Sequence, residues 1–141
     1  MCAGGASAML RNMPLRCLII DDNAPFMEAA RTLLERQGIS VVGVATTPAE
    51  GLQGAEELQP DVVLVDIDLG VHSGFDLARA LADEGCAVAF NVILISTHSE
   101  EDFADLVAES PALGFIAKSD LSADALRHIL DCHRRRDPPR P

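Results

Sequence analysis

The sequence predicts an α/β domain with a parallel five-stranded sheet and helices on both faces. Three observations lead there. Short apolar runs alternate with amphipathic stretches along 141 residues, the signature of repeated βα units. The runs are almost uninterrupted, as in Asp61-Val62-Val63-Leu64-Val65-Asp66, and such runs read as strands buried on both faces. Several of them also end on polar residues. Those ends lie at the carboxyl edge of the sheet, where open α/β sheets bind ligands.

The elements follow in order. Leu15 to Ile20 reads as strand one. Helix one runs from Ala24 to Gln37, with Phe26, Ala29, Ala30, Leu33 and Leu34 at helical spacing and Gly38 just past its end. Asp22 is a candidate cap for it. Ser40 to Ala45 is strand two. Thr47 suits the N-cap and Pro48 the first position of helix two, which Leu52, Ala55, Glu56 and Leu58 carry to Pro60. Val62 to Asp66 is strand three. The glycines of Leu69-Gly70-Val71-His72-Ser73-Gly74 mark a loop. Phe75, Leu77, Ala78 and Leu81 give helix three its apolar stripe, which stops near Gly85. Val92 to Ser96 is strand four. Phe103, Leu106 and Val107 mark helix four, whose outer face is acidic through Glu100, Glu101, Asp102, Asp105 and Glu109. Gly114 to Ala117 is strand five. Ser122 caps helix five, with Ala125, Leu126, Ile129 and Leu130 facing inward. Residues 1–13 read as a flexible leader containing the alternative starts Met9 and Met13. Residues 14–134 form the single domain, and 135–141 a C-terminal tail or linker start.

Composition narrows the function. With no Trp or Tyr, the core must be built from Ala, Val, Leu and Ile. A formal net charge of −11 argues against direct nucleic-acid binding by this domain. The basic cluster His133-Arg134-Arg135-Arg136 with Arg140 lies where cations complement a helix end. The four cysteines form no CxxC pair and read as reduced thiols. No run approaches a membrane span of about 20 apolar residues, and the start lacks the features of a secretion signal. The expected location is the cytoplasm, without membrane attachment.

The strand ends carry the chemistry. Strand one offers Asp21 and Asp22, strand three Asp66, strand four Ser96 and Thr97, and strand five Lys118. Carboxylates held together without a cation repel one another, and hard oxygen ligands suit Mg²⁺. A carboxylate can attack phosphorus to give an aspartyl phosphate. A lysine and a hydroxyl can hold the remaining phosphoryl oxygens. Singly, each residue has an ordinary alternative: a loop acid at Asp66, a cap for helix four at Ser96, a solvated strand end at Lys118. Jointly and in this order they point to phosphoryl chemistry.

The chain resembles the receiver domains of two-component response regulators over residues 15 to 133. The matching pieces are Leu18-Ile19-Ile20-Asp21-Asp22-Asn23, Pro60-Asp61-Val62-Val63-Leu64-Val65-Asp66-Ile67-Asp68-Leu69, Gly74, Val92-Ile93-Leu94-Ile95-Ser96-Thr97 and Gly114-Phe115-Ile116-Ala117-Lys118. The resemblance implies the flavodoxin-like strand order 2-1-3-4-5 known for receivers, and a bacterial phosphorelay. It makes Asp66 the phosphoacceptor. Asp22, Asp66 and the backbone carbonyl of Asp68 become Mg²⁺ ligands, with Asp21 acting through a bound water. Ser96, Thr97 and Lys118 become phosphoryl-binding residues, and Ser96 and Phe115 the switch pair. Phe115 is otherwise an ordinary core ring.

The implied partners are a sensor histidine kinase or phosphotransfer protein, and an output domain, partner protein or second copy at the face of helix four, strand five and helix five. Two departures from the family pattern stand out: Gly70 and Ser119 occupy positions where proline is usual. Asp68 and His98, each two residues past a site residue, are expected to tune phosphate loss. Two other readings compete. Asp66-Ile67-Asp68 is also the Asp-x-Asp pattern of haloacid dehalogenase-type hydrolases, and a pseudo-receiver would serve only as a binding surface.

Overall fold

The computed structural model describes residues 15–69, 72–82, 90–97 and 100–136. The main sheet consists of β1 (Leu15–Ile20), β2 (Ile39–Ala45), β3 (Val62–Asp66), β6 (Val92–Ser96) and β7 (Gly114–Ala117). It is parallel throughout, in the order β2-β1-β3-β6-β7. In sequence terms this is the order 2-1-3-4-5. The helices are α1 (Ala24–Arg36), α2 (Pro48–Leu58), α3 (Gly74–Leu81), α4 (Ala104–Glu109) and α5 (Ala123–Arg136). A two-residue hairpin, β4 (Asp68–Leu69) with β5 (His72–Ser73), lies between β3 and α3.

Strand alternation splits the core into two layers. Cys17 and Ile19, Val62 and Leu64, and Ile93 and Ile95 pack with Met27, Ala30 and Leu34 of α1 and with Leu126 and Leu130 of α5. The intervening residues Leu18, Ile20, Val63, Val65 and Leu94 pack with Ala55 of α2, with Leu77, Ala78 and Leu81 of α3, and with Val107 of α4. β3 and β6 are buried at every residue, as apolar runs without alternation require. The same pleat continues past the strand ends. It directs Asp21 and Asp66 towards the α1–α5 layer and leaves Ser96 in step with Leu94.

Several sequence expectations are corrected. The core face of α1 is Met27, Ala30 and Leu34, whereas Ala29 is exposed and Leu33 is 37% exposed. The stripe is shifted by one because the helix carries apolar residues on more than one face. The cap of α1 is Asn23, whose Oδ1 accepts the Phe26 N–H, so Asp22 is not its cap. Glu56 is exposed, and Leu106 on α4 is 47% exposed. The glycine-marked loop contains the β4–β5 hairpin, whose strands are too short to show a period. α3 ends at Leu81. α4 is preceded by a 3₁₀ turn, Glu100–Phe103, and has no side-chain cap, so Ser96 does not cap it. Thr47 and Ser122 act as expected, accepting the Glu50 and Ala125 N–H groups. The expectations at residues 1–14, Gly70, Gly85, His98, residues 137–141 and the side chains of Glu100, Asp102 and 133–136 lie outside the described residues.

Candidate functional site

The carboxyl edge of the sheet gathers side chains from three strand ends. Asp21 directly follows β1; its N–H donates to the Ala45 carbonyl at 3.0 Å, extending the β1–β2 ladder by one residue. Its side chain is fully buried. Asp21 Oδ1 accepts the Asn23 N–H at 2.8 Å, and Asn23 Oδ1 accepts the Phe26 N–H at 3.1 Å. Asp66 closes β3 and is buried, its Oδ1 accepting the Asp68 N–H at 3.2 Å. Beneath it, the Gly74 N–H donates to the Ile67 carbonyl at 3.0 Å and brings the start of α3 against β3. Lys118 follows β7 and opens a 3₁₀ turn, Lys118–Asp120. Its Nζ lies 2.6 Å from Asp21 Oδ2 and 3.4 Å from Asp66 Oδ2, and 4.4 Å from the centre of the Phe26 ring.

Electrostatics at this edge are strained towards a cation. Carboxylate oxygens of Asp21, Asp22 and Asp66 lie within 4.8 Å of one another, with Asp22 the exposed member. Burial pushes the Asp66 carboxyl up to about 6, and the nearby Asp21 charge adds to the rise. The Asp68 N–H and the Lys118 ammonium oppose it without cancelling it. One lysine thus faces three acids. Asp21 Oδ2 is buried and accepts no hydrogen bond, although Lys118 is in ionic contact with it; the approach is close but not aligned for a directed bond. An oxygen-only donor set and an excess of negative charge suit a hard divalent cation such as Mg²⁺.

The model of the response regulator receiver domain family matches residues 17–131. The chain belongs to that family. The transcriptional regulatory protein LiaR of Bacillus subtilis is 31% identical over 121 residues, which cover 80% of this chain and 54% of LiaR. Protein-glutamate methylesterase/protein-glutamine glutaminase 3 of Geobacter sulfurreducens is 32% identical over 124 residues, 86% of this chain and 33% of that protein. The receiver domain therefore spans about half the length of one relative and a third of the other. The crystal structure of a two-component response regulator of the LuxR family from Aurantimonas sp. SI85-9A1 superposes with a TM-score of 0.72. It is 27% identical and covers 84% of each chain.

Within the receiver domain, Asp21, Asp22, Asp66 and Lys118 come together directly. Ser96 is buried at the end of β6, paired in register with Ala117 just before Lys118, while Thr97 is exposed. Phe115 is partly buried and packs against the α2–α4 layer, on the same side of the sheet as Ser96. The Asp68 side chain is exposed. Sequence reasoning missed two residues. Asn23 ties Asp21 to α1, and Phe26 lies against Lys118. A signal for Asn23 was present, since Asn is a strong N-cap residue. Phe26 was absorbed into the apolar stripe of helix one, and only the tertiary fold brings it to Lys118. Among the described residues, no helix is long and apolar enough to cross a membrane.

Proposed function

We propose that this receiver domain accepts a phosphoryl group on Asp66 from a histidine kinase or phosphotransfer protein and passes the change to a partner. The observation that carries the reading is Lys118, whose ammonium reaches both Asp21 and Asp66 from the end of another strand. A carboxylate oxygen of Asp66 attacks phosphorus, the bond from phosphorus to the donor imidazole breaks, and the imidazole takes up a proton as it leaves. Asp66 must be ionised to attack, and a carboxyl near 6 is mostly ionised above neutral pH. Lys118 and the Ser96 hydroxyl hold phosphoryl oxygens, with Thr97 at the exposed rim. Asp22, Asp66 and the Asp68 carbonyl would hold Mg²⁺, and Asp21 would act through a bound water. Bound there, the ion would supply charge neutralisation between the acids and the incoming group.

The change is read on the face of α4, β7 and α5. Ser96 and Phe115 share one side of the sheet on neighbouring strands, so the ring is placed to follow a shift of the Ser96 hydroxyl towards phosphate. Leu106 together with the exposed Glu101, Asp105 and Glu109 would suit an output domain, partner protein or second copy with an apolar spot and basic rim. The setting would be cytoplasmic. The test is incubation with acetyl phosphate and Mg²⁺ followed by intact mass spectrometry. One phosphoryl adduct is expected in the wild type and none in Asp66→Asn. An equal adduct in both would remove Asp66 as the acceptor; none in a folded wild type would leave a domain that only binds.

A further inference from the structure

Phe26 does not share the core face of its own helix. Met27, Ala30 and Leu34 form that face. Phe26 sits one residue earlier, only partly buried at the edge of the core layer. Its ring lies under the Lys118 ammonium, 4.4 Å from Nζ to the ring centre. That distance is within the range of cation–π attraction, which strengthens where the cation is desolvated. Lys118 meets that condition, with a side chain 9% exposed.

The backbone that carries the ring is itself tied to the acid end of the site. Asp21 Oδ1 accepts the Asn23 N–H, and Asn23 Oδ1 accepts the Phe26 N–H. Two hydrogen bonds therefore connect the carboxylate that pairs with Lys118 to the residue whose ring lies against it.

We infer that Phe26 is a positioning residue for Lys118, holding the ammonium between Asp21 and Asp66 by attraction to an uncharged ring face. The consequence for phosphoryl transfer rests on the phosphoacceptor reading above; the contact itself does not. A carboxylate in the place of Phe26 would bind the lysine more tightly, but it would add a fourth negative charge that repels phosphate. An aliphatic side chain would pack the core edge and exert no pull on the ammonium. A long lysine side chain free of that pull extends its charged end towards water. The ring thus retains the cation in the crevice and leaves its charge available to the incoming phosphoryl group.

The experiment compares Phe26→Leu, which keeps an apolar side chain of suitable size, with Phe26→Tyr, which keeps the ring face. The first readout is the NMR shift of the Lys118 ε-methylene, assigned by its loss in Lys118→Met. A ring-current displacement is expected in the wild type and Phe26→Tyr, and its loss in Phe26→Leu. The second readout is phosphoryl uptake from acetyl phosphate. Phe26→Leu is expected to slow it about 5- to 30-fold, Phe26→Tyr to restore it, and Phe26→Leu to add no slowing in a Lys118→Met background. An unchanged Lys118 shift in Phe26→Leu, or equal slowing with and without Lys118, would overturn the inference. If the wild type takes up no phosphate, the acceptor reading fails by itself, and the Lys118 shift alone decides whether the Phe26 ring lies against the ammonium.

Discussion

Asp66 holds its proton more tightly than an ordinary carboxyl does. Its carboxyl is raised from an ordinary 3.8 to about 6, by burial first and by Asp21 second. The folded protein therefore holds this proton more tightly than the unfolded chain does. The stability it contributes is fully present below the unfolded value, near pH 4, and is lost as pH rises through about 6. At pH 7.5 without divalent cation, Asp66→Asn is expected to be more stable than the wild type by about 1–3 kcal/mol. At pH 4, where both side chains are neutral, the gap should close. Urea unfolding at the two pH values measures it, and equal midpoints at pH 7.5 would contradict the account. Burial acts on Cys17 in the same direction and further. Its thiol is pushed up to about 12 in the core, so it serves as an apolar side chain rather than a nucleophile.

At the scale of elements, the join between β3 and α3 is the least forgiving place near the site. A Cβ on Gly74 would collide with the Asp66 carbonyl oxygen and lie 2.6 Å from Ile67 Cα. Both obstacles are backbone, so no rotamer change relieves them. Gly74→Ala is expected to destabilise the domain at the upper end of the about 1–3 kcal/mol typical of overpacking. It should also slow phosphoryl uptake, because the peptide that moves carries Asp66. A melting curve within error of wild type would show that the helix start yields easily. The matching Gly74 was legible in the sequence, as were the strand ends Asp66, Ser96 and Lys118, because a buried parallel strand leaves an apolar run with a polar stop. The core face of α1 was not legible. Phe26, Ala29 and Leu33 are as apolar as Met27, Ala30 and Leu34, and helical period alone does not say which set turns inward. The hairpin at Asp68–Ser73 was hidden by brevity, and Phe26 beside Lys118 depends on how α1 docks against β7's end.

For the whole molecule, the site and the fold share one free energy. The two core layers lie on opposite faces of a single sheet, and the acids of the site hang from β1 and β3 at its centre. Only the folded chain brings Asp21 and Asp22 to Asp66, so a cation held there stabilises the entire domain. With Mg²⁺ at a hundred times its dissociation constant the gain is expected to be about 2.7 kcal/mol. A second effect runs in the same direction. The chain carries a formal net charge of −11, and any salt relieves some of that self-repulsion. The two separate by control: NaCl at matched ionic strength supplies screening alone, and EDTA withdraws only the specific part. Asp22 is the exposed acid of the cluster, so Asp22→Asn leaves the core untouched while removing one of its three carboxylates. Its unfolding midpoint should respond to Mg²⁺ no more than to matched NaCl, whereas the wild type should respond well beyond it. A wild-type response that NaCl reproduces in full would mean that the three carboxylates do not act together as a metal site, and that the charge of the chain as a whole accounts for the effect.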